Sequence, residues 1–156
     1  MSRARVILHL VALLAPLVAA SAWCLLVYRS NAAGAWGVVA VVGGLAALSA
    51  QVAALLRWRA LDRRARAGQG AWLAGIGMAA ITHALFGVLL DAALVLSLGG
   101  WREAAGTGRP SDLLLQSLFF FVMSIMPVGL VTFPATALFA TWIAALRRKE
   151  LGHAVA

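Results

Sequence analysis

Charge is scarce in this sequence, and acidic charge scarcer still: five Asp and Glu stand against thirteen Lys and Arg in 156 residues. Charged residues make up 12% of the chain, about half of the roughly 25% usual in soluble domains, which excludes a soluble globular fold. Cys24 is the single cysteine, so neither an internal disulfide nor a thiolate metal cluster can form; inside an apolar run it reads as a small buried hydrophobe. Lys149 is the only lysine, and Arg over Lys with alanine-rich runs is the composition of a GC-rich bacterial genome. No Gly-x-Ser-x-Gly elbow, His-Glu-x-x-His pair or phosphate-cradling glycine loop occurs, and Gly106-Thr107-Gly108-Arg109 is only a short loop. There is no catalytic signature.

What is present is apolar: 63% of residues are hydrophobic and the mean hydropathy is +0.95. Four long stretches, 6–28, 35–56, 71–98 and 113–146, each supply the roughly 20 residues a helix needs to cross about 30 Å of hydrocarbon. The expected fold is an all-α membrane protein, an antiparallel four-transmembrane-helix bundle forming one integral membrane domain over 1–156. Short segments between the stretches leave no room for an attached soluble domain, so any chemistry belongs to the bundle or its two faces. Arg3 and Arg5, an apolar run and Ala20-Ser21-Ala22 imitate a secretory signal. The run continues through Trp23, Cys24 and Leu25 to Tyr28, however, whereas a signal's apolar region spans about 7 to 15 residues. A retained first helix is therefore expected over cleavage after Ala22.

Ten cations (Arg3, Arg5, Arg57, Arg59, Arg63, Arg64, Arg66, Arg147, Arg148 and Lys149) fall on the side shared by both termini in a four-span topology, against three (Arg29, Arg102, Arg109) on the other. By the positive-inside rule both termini face the cytoplasm of a bacterial inner membrane. Tyr28, Trp36 and Trp101 would mark the outer interface, Trp58, Trp72 and Trp142 the inner one, and Trp23 lies deeper. Arginines beside span ends set orientation and meet lipid phosphates, so nucleic acid is not the expected partner. Arg57, Arg59, Arg63, Arg64 and Arg66 are the candidate lipid-headgroup contacts. The second helix is expected to continue into this region for a turn or two. There Trp58, Leu61 and Ala65 share a face suited to an interfacial segment on anionic lipid.

Membrane helices approach closely at small residues. The second span offers Gly37, Ala40, Gly44, Ala47, Gln51 and Ala54 along one face. The third offers Gly77, Ala80, Ala84, Gly87 and Asp91, and the first, more weakly, His9, Ala12, Pro16, Ala19 and Trp23. The fourth span is long, with Pro127 and Pro134 inside it as a candidate hinge, each removing a backbone hydrogen bond. A kinked helix is expected over a re-entrant loop, with Thr132 and Thr136 re-satisfying freed carbonyls and Ser111 or Asp112 as its N-cap.

Ionisable groups inside a membrane cost roughly 2.5–3.5 kcal/mol at its centre on insertion scales, so His9, His83 and Asp91 each call for a reason. Asp91 lies roughly 13 Å from the outer end of its helix at about 1.5 Å per residue, level with Gln116, Ser117 and Trp23, with Arg29 reaching in from the interface. It reads either as a proton-titrating or cation-binding carboxylate, or as a hydrogen-bonded packing residue. His83, near the midplane, matches Ser124 in depth. It reads as a neutral imidazole bonded there, or as one end of a water-mediated relay with Asp91. His9 is level with Gln51 on the adjacent helix, a second polar pair. His9 and His83 differ by roughly 10 Å in depth, which speaks against haem, and no spacing gathers metal ligands, so no cofactor is expected. Two functions stay open. One is a non-enzymatic accessory or scaffold subunit with a membrane-protein partner or a second copy of the chain. The other is a small proton-coupled carrier using Asp91 and His83. A membrane-embedded enzyme is the weakest reading, because a lone Asp and a lone His at different depths make a poor catalytic pair.

Overall fold

The computed structural model describes residues 2–27, 36–105 and 109–153, and every element among them is helical. The elements are α1 (Arg3–Val27), α2 (Trp36–Arg66), α3 (Trp72–Ser97), the short α4 (Trp101–Ala105) and α5 (Pro110–His153). Four of them, α1, α2, α3 and α5, are long and apolar enough to cross a bilayer. Tyr28 and Arg29 lie outside the described residues.

α2 carries a π-helical turn at Val39–Gly43. A π-turn inserts one residue into the α-helical register, so the face that packs shifts by one position above it. Below the turn the expected stripe holds at Ala47 and Ala54, both buried. It does not hold at Gly37, above the turn, or at Gly44, directly below it: both have open space where a Cβ would stand. Gly43 makes the approach instead, with a Cβ there lying 3.0 Å from Ala20 of α1. On α1 the inward positions are Ala4, Leu8 and Cys24, while Trp23 is 62% exposed and leaves the expected stripe.

α2 also runs about three turns beyond Leu56, further than the turn or two expected, and ends at Arg66. Gly68, at φ +70°, closes it as the left-handed residue of a Schellman motif: Gly68 N–H donates to Ala65 O at 3.2 Å and Gln69 N–H to Arg64 O at 3.0 Å. The extension is not an interfacial segment with its apolar face in lipid. Leu61 and Ala65 are buried with Ala4, Leu8, Met78, Ala140, Ile143 and Ala144 in the hydrophobic core, and Trp58 packs against that cluster.

α5 is one uninterrupted helix of 44 residues, so no re-entrant loop occurs in it. At about 1.5 Å per residue it is about 66 Å long, twice the hydrocarbon thickness. It begins at Pro110, the residue best suited to the first helical position because its missing N–H is not needed there. Ser111 and Asp112 thus lie inside the first turn rather than capping it, and Asp112 N–H donates to Arg109 O at 3.0 Å. α2 and α3 bury more of their spanning windows (28% and 22%) than α1 and α5 (6% each), which makes them the central pair.

Candidate functional site

The polar groups inside the bundle gather where α3 meets α5, the most extensive helix contact in the structure. Close approach there depends on two glycines of α3. A Cβ on Gly75 would overlap the Thr136 carbonyl oxygen and stand 2.6 Å from Ala137 Cα; one on Gly87 would stand 2.7 Å from Ser117 O and 2.9 Å from Phe121 N. The buried seam of α3 is Gly75, Ala79, His83, Gly87 and Asp91, every fourth residue. This corrects the expected stripe: Gly87 and Asp91 belong to it, but Ala84 is exposed. Gly77 faces α2, where a Cβ would lie 2.7 Å from Nη2 of Arg57.

His83 is 7% exposed and uses both ring nitrogens on α5, Nδ1 with Ser124 Oγ at 3.0 Å and Nε2 with Thr132 Oγ1 at 2.8 Å. Ser124 already donates its one hydroxyl proton to Phe121 O at 2.8 Å, so it must accept from His83 Nδ1–H. In the neutral ring Nε2 is then the acceptor, and Thr132 donates to it. Phe133 stacks on the imidazole with centroids 5.8 Å apart. From the sequence, Thr132 is expected only as a donor to carbonyls freed by proline. Its use here was foreshadowed by its place eight residues, about two turns, after Ser124 on one helix face. Thr136 donates to Thr132 O at 2.7 Å and Phe133 O at 3.1 Å, so neither threonine serves Met123 or Leu130, the carbonyls left free by Pro127 and Pro134.

Asp91 is 5% exposed and accepts from Ser117 Oγ at 2.7 Å through Oδ2, while Oδ1 is buried without a hydrogen-bond partner among the described residues. Of its other expected neighbours, Gln116 is half-buried and not bonded to it, Trp23 faces outward, and Arg29 is outside the described residues. A second polar clasp joins α1 to α2. Gln51 Oε1 accepts from His9 Nδ1 at 2.9 Å while Gln51 Nε2 donates to His9 O at 2.6 Å. Among the described residues no three His, Cys, Asp or Glu side chains converge as metal ligands.

No family model, curated protein or solved structure matches this chain.

The basic end is organised by two acids that span length and hydropathy do not single out. Asp62 of α2 accepts from Arg147 of α5 at 2.8 Å and from Arg66 at 2.9 Å. Arg147 also pairs with Glu150 at 3.0 Å, and Glu150 accepts the Ala4 N–H of α1 at 2.8 Å. Two carboxylates amid so many arginines were the available signal. Asp62 lies beyond the apolar stretch of its helix; burial acts to raise its pKa, but hydrogen bonds and charge from Arg147 and Arg66 carry it below the ordinary carboxylate value. The expected headgroup arginines divide accordingly. Arg57 lies against Gly77, Arg64 donates to Gly70 O at 3.2 Å and Arg66 pairs with Asp62, leaving Arg59 and Arg63 as the exposed members without such a partner among the described residues.

Proposed function

We propose that this chain is a non-enzymatic accessory or scaffold subunit of a bacterial inner membrane, docked to a membrane-protein partner. The observation that carries this reading is the state of His83: both ring nitrogens are spent on hydroxyls that join α3 to α5. His9 and Gln51 are likewise spent on joining α1 to α2. Polar groups locked in helix-to-helix bonds serve assembly, whereas transport or catalysis needs groups free to change partners. Much of α1 and α5 remains exposed apolar surface, available to lipid and to a neighbouring helix.

The contacts of Ala4 with Glu150 and of Asp62 with Arg147 support an antiparallel order, with the start of α1 and the ends of α2 and α5 together. Their arginine content supports a cytoplasmic position for that end. Pro127 and Pro134 would bend α5 within the membrane. The test is native mass spectrometry of the untagged protein released gently from its own membrane. A complex of the 16.3 kDa chain with a second kind of polypeptide is expected; a bare chain or a homo-oligomer overturns the reading.

One observation favours a second reading, a proton-coupled carrier. Asp91 keeps a buried carboxylate oxygen without a partner, the kind of group that a proton or cation would complete. In liposomes, pH-dependent flux that disappears in Asp91→Asn would select this reading over the first.

A further inference from the structure

We infer that the basic end of the bundle carries a discrete binding site for the phosphate headgroup of an anionic phospholipid, formed between α1 and α2 by Arg5, Trp58 and Arg59. Leu55 and Leu56 receive the acyl chain. These five residues line one open cleft of about 430 Å³. It straddles the boundary where the apolar stretch ends at Leu56 and the arginine-rich extension begins. Leu55 and Leu56 are 54% and 63% exposed on the hydrocarbon side of that boundary. Two guanidiniums and an indole stand on the other side, the combination that suits a headgroup region.

The charge balance selects an anion. Arg5 lies over the Trp58 ring at 5.9 Å from its centroid, and its Nε is buried with no hydrogen-bond acceptor. The two acids nearby are taken: Asp62 by Arg66 and Arg147, Glu150 by Arg147 and the Ala4 N–H. Among the described residues, therefore, no carboxylate pairs with Arg5 or Arg59. Two guanidiniums without a carboxylate thus line the cleft, and a phosphate oxygen is an acceptor that guanidinium geometry matches. The leucine wall supplies the reason for a lipid rather than a free anion, since acyl carbon covers apolar surface that inorganic phosphate leaves bare. This inference is independent of the subunit reading, because it needs only the membrane and this end of the bundle.

The test is native mass spectrometry of the full chain ejected from nanodiscs of mixed phosphatidylcholine and phosphatidylglycerol, with helix content checked by circular dichroism. One retained phosphatidylglycerol is expected. Its apparent affinity should fall about 30-fold in R5Q/R59Q but little in R64Q/R66Q, which removes equal charge from the same end. Should the double variant fail to fold, Arg59→Gln alone, at an exposed position, should lower affinity about fivefold. Equal retention of phosphatidylcholine, equal losses in the two double variants, or displacement by inorganic phosphate would each overturn the site.

Discussion

Thr132 and His83 are joined across α5 and α3 by a hydrogen bond of 2.8 Å in which the hydroxyl donates and the ring nitrogen accepts. With Ser124 on the opposite nitrogen, the imidazole is fixed as the Nδ1–H tautomer and fastens the last helix to the third at two heights.

Replacing His83 with Phe keeps the ring and its stack on Phe133 but removes both interhelical bonds. Such bonds in membrane bundles average about 0.6 kcal/mol and reach about 1.7, so H83F should lose about 1–2 kcal/mol and Thr132→Val about half of that. Unfolding in mixed micelles on titration with a denaturing detergent measures it. Unchanged stability in H83F would mean that the seam bonds contribute nothing.

The three glycines of α3 should respond differently to a methyl group. At Gly75 and Gly87 the added Cβ meets α5 backbone, which cannot step aside, and overpacking of this kind costs about 1–3 kcal/mol. At Gly77 it meets only the far end of Arg57, which can swing away, while alanine gains about 1 kcal/mol of helix propensity over glycine. G75A and G87A should destabilise the bundle and G77A should be neutral or mildly stabilising. The same detergent titration ranks them, and a G77A as damaging as G75A would contradict this packing.

Acid should loosen the basic end through Asp62. Its folded carboxyl lies below the unfolded value of about 3.9, so its contribution is fully present above that value and is lost as pH falls through the folded one. The midpoint of thermal unfolding in detergent should therefore drop below about pH 4, and D62N should remove part of that dependence while costing about 1 kcal/mol at neutral pH. Parallel pH profiles of the two proteins would refute the role given to Asp62.

Asp91→Asn puts an amide NH2 in place of the unpartnered carboxylate oxygen, removes the charge and keeps an oxygen for the Ser117 hydroxyl. The amide NH2 finds no acceptor there either among the described residues, but a charge costs far more to bury than a neutral amide, so D91N should be at least as stable as the parent chain. Ser117→Ala, which takes away the one bond Asp91 makes here, should be destabilising. A strongly destabilised D91N would show that a proton, cation or water completes Oδ1 in the membrane, and would strengthen the carrier reading.

Depth along a helix is a local property, and it made part of the polar interior legible. Counting residues puts His83 level with Ser124 and His9 level with Gln51, and both hydrogen bonds are present in the structure. Facing direction was less legible. In helices so rich in alanine and glycine, stripes spaced alternately three and four apart and stripes spaced every four both exist. Only the backbone of α5 selects Gly75, Ala79 and His83 over Gly77, Ala80 and Ala84. The π-turn at Val39–Gly43 likewise left no trace in hydropathy, and the α1 contact falls on Gly43, its last residue, rather than on Gly44.

By itself the sequence determined that this chain is built from four long apolar helices, because span length and hydropathy depend only on neighbouring residues and on hydrocarbon thickness. Tertiary structure alone decided which side of each helix is buried. It turned Leu61 and Ala65 into the core, Trp23 outward, and Asp62 onto Arg147. Those outcomes depend on what another helix presents at the same height, and no single stretch of sequence contains that information.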